Sequence, residues 1–159
     1  MNIVEKAKEF ATAAHKGQLY GDQPYTVHLE DVVARLSTIT EDQELLAAAW
    51  LHDTVEDCGI TVEQIAKEFG QRVTNLVWAL TGTGPYRALR VNDAIKKIAA
   101  TEGAELIKSA DRLSNVAASI RDGRTDLFEM YQREHKVLSP VLGDNALAQE
   151  LNRLLEQTT

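Results

Sequence analysis

The chain has 159 residues, and 17 basic against 24 acidic side chains leave a formal net charge of −7. With 44% hydrophobic and 26% charged residues it falls outside disordered and fibrous compositions, and its length gives one domain, 1–159, able to bury a core without staples. The acidic balance argues against a nucleic-acid backbone or an anionic membrane surface as partner. The longest apolar run, Leu45–Leu51, is far short of the roughly 20 residues of a membrane helix. No signal peptide is visible in Met-Asn-Ile-Val-Glu-Lys, and a single cysteine, Cys58, suits a reducing cytoplasm.

The hydrophobic period is helical throughout. Ile3, Val4, Ala7, Phe10, Ala11 and Ala14 share one face of a first helix, and Leu29, Val32, Val33 and Leu36 one face of a second. Thr40 and Gln43 have capping-box spacing and open a third helix that runs from Leu45 through His52. Ala47, Ala48, Ala49 and Trp50 make that helix apolar nearly all round, so it is expected at the centre. Thr61 and Gln64 form a second capping box before Ile65, Ala66 and Phe69, with Gly70 as the stop. Val73, Leu76, Val77 and Leu80 continue the pattern, Gly82–Pro85 is a loop, and a helix from about Asn92 carries Ile95, Ile98 and Ala99.

The clearest helix spans Gly103–Ile120, with Leu106, Ala110, Leu113, Ala117 and Ile120 as its apolar face and Asp122-Gly123 as its end. Thr125 and Ser139-Pro140 read as N-caps of two final helices, the last carrying Leu147, Leu151, Leu154 and Leu155. That leucine seam is expected to close over a cleft or to form a contact between subunits of a homo-oligomer. No stretch alternates with period two long enough to make a strand. The fold class is all-α.

Polar residues interrupt this pattern in four places. His52-Asp53-Thr54-Val55-Glu56-Asp57 follows the most apolar helix; if the helix continues, Glu56 shares a face with His52 and Asp57 with Asp53. Three carboxylates so close repel, and desolvating them costs several kcal/mol each. A divalent cation removes the conflict, and imidazole with carboxylate suits Zn, Mn or Fe. His28 follows Pro24-Tyr25-Thr26-Val27; Lys108, Asp111 and Asn115 share one helix face; His15-Lys16-Gly17-Gln18 ends the first helix. Each alone has an ordinary explanation as a solvated helix end, a core histidine or an ion pair. His135 lacks such company and reads as a surface residue.

Taken in order, these motifs resemble the HD superfamily of metal-dependent phosphohydrolases, and within it the branch that hydrolyses (p)ppGpp. That branch comprises the hydrolase half of RelA/SpoT homologues and small stand-alone enzymes. The likeness spans about residues 5–120. It rests on His15-x-Gly17-Gln18, Pro24-Tyr25-x-x-His28, Leu51-His52-Asp53-x-x-Glu56-Asp57, Phe69-Gly70-x-x-Val73 and Lys108-x-x-Asp111-Arg112-x-x-Asn115.

The resemblance implies a compact helical HD bundle and one divalent metal, typically Mn, with Zn, Fe, Co or Ni as alternatives. His28, His52, Asp53 and Asp111 would hold it; Glu56 and Asp57 would orient and deprotonate the attacking water. Lys16, Gln18, Tyr20, Lys108 and Asn115 are the candidate substrate contacts, and Arg112 belongs to a structural ion pair. Cys58 reads as a packed small residue, and Gly82-x-Gly84-Pro85 lacks the Lys-Ser/Thr of a phosphate loop. The implied reaction converts ppGpp to GDP and pyrophosphate in the cytoplasm.

Departures from the branch concern the substrate. Tyr20 stands where the branch has Arg, the loop to Pro24 is one residue shorter, and Ser109 and Ser114 replace larger side chains. An aromatic ring can stack on a base but cannot do the work of a guanidinium. Two alternatives follow: a phosphohydrolase for another nucleotide, such as a (d)NTP, a nucleoside monophosphate or NADPH, or a metal module that binds a nucleotide without turnover.

Overall fold

Helix starts fall where a side chain can accept the free backbone N–H groups of a first turn. In the computed structural model, which describes residues 1–157, Asn2 and Glu5 form a reciprocal capping box at α1 (Ile3–Ala14). A two-residue hairpin, β1 (Leu19–Tyr20) with β2 (Gln23–Pro24), then leads into α2 (Thr26–Leu36). Such a short ladder has no alternating pattern to reveal it, so the expectation of no strand is corrected here.

Thr40 does not cap the third helix. Asp42 does, accepting from the backbone N–H of Glu44 and Leu45, while Thr40 Oγ1 accepts from Asp42 N at 3.1 Å. A carboxylate two residues nearer the helix out-competes the hydroxyl. All seven residues from Leu45 to Leu51 are buried, and α3 (Gln43–Leu51) lies against α1, α2 and α6 (Gln71–Leu80) as its central position requires. The chain breaks after Leu51 and resumes in α4 (Thr54–Cys58). The Thr61–Gln64 capping box opens α5 (Val62–Phe69) as expected.

The next helix, α7 (Arg87–Ala99), begins five residues before the expected Asn92. Its first turn, Arg87-Ala88-Leu89-Arg90, is mostly exposed and buries no apolar stripe, so hydrophobic period gave no signal there. In α8 (Ala104–Arg121) the buried apolar residues are Ala104, Ile107, Ala110, Leu113, Val116 and Ala118, while Ile120 is 41% exposed. The expected face is therefore displaced. This helix packs on α2 on one side and α10 on the other, so a single stripe does not describe it.

Thr125 is the first residue of α9 (Thr125–Leu142), whose N-cap position holds Arg124 without a capping side chain. Ser139-Pro140 starts no helix; Pro140 lies in the last turn of α9, where its missing N–H costs a single ladder bond. Asn145 caps α10 (Ala146–Leu155), and Leu147, Leu151 and Leu155 are buried against α8 and α9. Leu147 and Leu151 of the seam are thus spent inside the domain, while Leu154 is half-buried. Residues 158 and 159 of the expected domain lie outside the described residues. No helix among the described residues is long and apolar enough to cross a membrane.

Arg112 forms its structural pair with a distant residue. Its side chain is 3% exposed and its Nη1 donates to Glu134 Oε1 at 2.7 Å, with the guanidinium stacked over Tyr131. Arg87 meets the same carboxylate at 2.6 and 3.0 Å, so one acid ties α7, α8 and α9. Gly103 opens α8 at φ +94°, and a Cβ there would lie 2.8 Å from Leu45 Cδ2. Gly103→Ala is expected to cost about 1–2 kcal/mol. Thermal melting checks this, with a fall of a few degrees expected.

Candidate metal centre

The break after α3 shapes the site. Asp53 leaves the helix at φ −104° and ψ 0°, turning the chain so that His52 and Asp53 project together and not along one continuing face. Two carbonyls freed by the break are satisfied locally: Thr54 Oγ1 donates to Leu51 O at 2.8 Å and His52 Nδ1 donates to Ala49 O at 2.6 Å. A carbonyl only accepts, so the His52 proton is fixed on Nδ1 and Nε2 is turned to the interior.

Four elements meet at that point. His28 of α2 places Nε2 2.9 Å from Asp111 Oδ1 of α8, and His52 Nε2 lies 3.2 Å from the same oxygen and 3.0 Å from Asp53 Oδ2. One ligand atom each from His28, His52, Asp53 and Asp111 fall within 4.8 Å of one another. His28 Nδ1 lies 3.2 Å from Ser114 Oγ, Tyr25 donates to Asp53 Oδ2 at 2.5 Å, and Lys108 donates to Asp111 Oδ2 at 3.1 Å. Every ligand thus has a further hydrogen bond that orients it, from behind for His28, His52 and Asp111 and, for Asp53, on the same Oδ2 that faces His52; such bracing suits a divalent cation held by imidazole and carboxylate. The donor set fits the group.

The electrostatics of the cluster agree with this donor set. Burial would push His52 down, but the Asp53 and Asp111 carboxylates outweigh it and hold its pKa well above the usual imidazole value. Burial likewise works to raise Asp53 and Asp111; the His52 charge pulls Asp53 to about 2, and Lys108 with His52 holds Asp111 well below the ordinary range. Protons offset the carboxylates where a cation is absent, and a cation would replace them.

Glu56 and Asp57 flank the cluster on α4 in different surroundings. Burial and the Asp53 charge raise both carboxyls; Lys108 opposes this at Glu56, and a hydrogen bond from Gln18 opposes it at Asp57. Gln18 Nε2 donates to Asp57 Oδ2 at 3.2 Å while its Oε1 accepts from His15 Nδ1 at 2.7 Å. His15 is buried, stacks on Tyr25 and lies 3.2 Å from Cys58 Sγ, whose thiol burial pushes up to about 11. Cys58 therefore stays a neutral packed thiol.

Tyr20 lies flat on the His28 ring, with centroids 4.6 Å apart and planes at 17°, and its hydroxyl donates to Asn115 Oδ1 at 2.8 Å. Tyr20, Asn115 and Tyr131 line a cavity of about 90 Å³. Of the candidate contacts, Gln18, Tyr20, Lys108 and Asn115 come together around the ligands. Lys16 does not: it is exposed beside Glu9, Thr12 and Ala13 on the outer face of α1. His135, expected at the surface, is half-buried and pairs with Asn152 Oδ1 at 2.6 Å across α9 and α10. Tyr25 and Ser114 are not among the expected site residues, because the contacts of their hydroxyls with Asp53 and His28 are made between elements far apart in the chain.

Residues 7–133 match the HD domain family. The guanosine-3′,5′-bis(diphosphate) 3′-pyrophosphohydrolase MESH1 of Xenopus tropicalis is 33% identical over 91% of this chain and 88% of its own length. The Aquifex aeolicus guanosine-3′,5′-bis(diphosphate) 3′-pyrophosphohydrolase is 37% identical over 71% of this chain, which spans only 17% of that protein's length. A metazoan SpoT orthologue that hydrolyses ppGpp superimposes with a TM-score of 0.83 at 28% identity, covering 97% of this chain and 94% of that one. The chain belongs to the HD-domain family, on the branch that includes the guanosine-3′,5′-bis(diphosphate) 3′-pyrophosphohydrolases.

Proposed function

We propose that this chain is a metal-dependent phosphohydrolase that converts guanosine 3′,5′-bis(diphosphate) and water to GDP and pyrophosphate in the cytoplasm. The four-ligand cluster flanked by Glu56 and Asp57, in a chain that follows MESH1 along nearly its whole length, carries the reading. His28, His52, Asp53 and Asp111 would hold the divalent ion, Mn foremost. Such an ion supplies Lewis-acid polarisation of a phosphate oxygen and offsets charge in the transition state.

The chain's own residues do the remainder. Glu56 and Asp57, both with raised pKa, are carboxylates near the site but outside the ligand set, suited to orient water and take its proton. Water oxygen bonds to the proximal phosphorus of the 3′ group as the bond to ribose O3′ breaks, and that oxygen leaves with a proton. Tyr20 and Asn115 form the nucleoside side of the cleft.

Tyr20 favours a second reading, hydrolysis of another nucleotide, because its ring offers stacking where a guanidinium would meet charge. Turnover of ppGpp with Mn, run beside dNTPs, nucleoside monophosphates and NADPH, decides between them. Pyrophosphate release from ppGpp that disappears in Asp53→Ala supports the first reading. Activity only elsewhere in the panel supports the second, and tight binding of ppGpp without cleavage would make the chain a binding module. Tyr20→Arg is expected to shift the ranking toward ppGpp by roughly ten-fold, the worth of one charge-assisted contact.

A further inference from the structure

The loop Gly82–Pro85 is folded against the first turns of α7. A Cβ on Gly82 would lie 2.5 Å from Arg90 O, and one on Gly84 2.9 Å from Leu89 Cβ, so only glycine permits this approach. Thr83 fastens the loop by donating from its N and Oγ1 to Asp93 Oδ2 at 3.0 and 2.9 Å. The result is a fixed backbone at Arg90, whose guanidinium lies 3.4 Å from Gly84 O and, among the described residues, forms no ion pair with a carboxylate.

Arg90 shares a cavity of about 90 Å³ with Glu56, Arg87, Lys108 and Arg112. Glu134 answers the charges of Arg87 and Arg112 together, Asp111 answers Lys108, and Glu56 offers one more negative group, so four cations meet three acids there. This is a local excess of positive charge in a chain of net charge −7. Lys108 connects it to the metal centre: its ammonium donates to Asp111 Oδ2, whose other oxygen faces His28 and His52.

We propose that this cavity binds the distal phosphate of a diphosphate group, with Arg90 as the free guanidinium and Lys108 as the bridge toward the ligand cluster. The identity of the group as the substrate's 3′-diphosphate rests on the phosphohydrolase reading; the anion site itself does not. A guanidinium presents paired N–H donors that match two phosphate oxygens, and its planar fork loses little freedom per hydrogen bond formed. The cavity also separates duties in the cleft, with the nucleoside on the Tyr20–Asn115 side and the diphosphate on the Arg90–Lys108 side. A distal phosphate keeps its charge through the reaction, so its contacts act mainly on KM.

Calorimetric titration of inorganic pyrophosphate into the full chain, with metal removed, tests the site without turnover. Wild type should bind pyrophosphate more tightly than orthophosphate and less tightly as salt rises. Arg90→Gln should weaken pyrophosphate at least ten-fold, and Arg90→Lys should recover only part of that loss, because the charge remains but the paired N–H donors do not. Equal affinity in wild type and Arg90→Gln, or no preference for pyrophosphate over orthophosphate in wild type, overturns the proposal. With Mn and ppGpp, the Arg90→Gln defect should fall in KM. Absence of ppGpp turnover in wild type would count against the substrate reading alone, since pyrophosphate binding is measured independently.

Discussion

Asp111→Ala is expected to empty the metal centre and to reduce turnover roughly a thousand-fold or more. Asp111 Oδ1 meets both His28 and His52 and its Oδ2 meets Lys108, so one substitution removes the hub of the cluster. Loss of several kcal/mol of transition-state stabilisation is what the absence of a polarising cation implies. The half-buried Lys108 and the buried imidazoles would also lose their acceptor, which costs about 3–5 kcal/mol of stability. Glu56→Gln should behave differently, keeping the metal while losing roughly 10²–10⁴-fold in rate. Metal titration by calorimetry alongside pyrophosphate release separates the two. Metal retained in Asp111→Ala, or lost in Glu56→Gln, would mean the ligands are misassigned.

The chelated protein should lose stability as pH rises above about 6.5, and a divalent ion should restore it increasingly over the same range. His52 has a folded pKa above its unfolded value, so its contribution is complete below about 6.5 and is lost as pH climbs through the folded value. Asp53 and Asp111 run the other way: their contribution is present above about 3.9 and is lost as pH falls through their depressed folded values, about 2 for Asp53. The metal-free cluster is therefore most stabilising between about pH 4 and 6.5. The ion requires Nε2 of both histidines without a proton, so its binding strengthens with pH. At a hundred-fold excess over its Kd the ion adds about 2.7 kcal/mol, a rise of about 5–10 °C in Tm for a chain of this size. Melting curves at pH 5, 6.5 and 8.5 with and without Mn measure the effect. An Mn-induced shift of equal size at pH 5 and 8.5 would contradict a site built on two imidazoles.

Local chemistry was legible wherever the deciding groups sit within a few residues of one another. The Thr61–Gln64 capping box, the apolar Leu45–Leu51 segment and the end of α8 at Asp122-Gly123 all follow from such short-range rules. Where two local signals compete, the reading failed. Asp42 displaced Thr40 as a cap, and the tail of α9 runs through Ser139-Pro140 because packing of Leu138 and Leu142 holds that turn in place.

The sequence by itself determined the helical class and the set of chemical groups at the site, because residue type and spacing along a helix dictate which side chains can share a face. Only the tertiary structure decided how those groups meet. The turn at Asp53 aims His52 and Asp53 inward, and Ser114 and Tyr25 brace ligands contributed by other elements. Arg112 pairs with Glu134, 22 residues away and not with its neighbour Asp111. Lys16, inside a recognisable motif, faces away from the cleft, whereas Arg90, outside every motif, faces a cavity beside it. Each outcome depends on contacts between elements far apart in the chain, whose geometry is set by the packing of α2, α3, α7 and α8 and leaves no periodic trace in the order of residues.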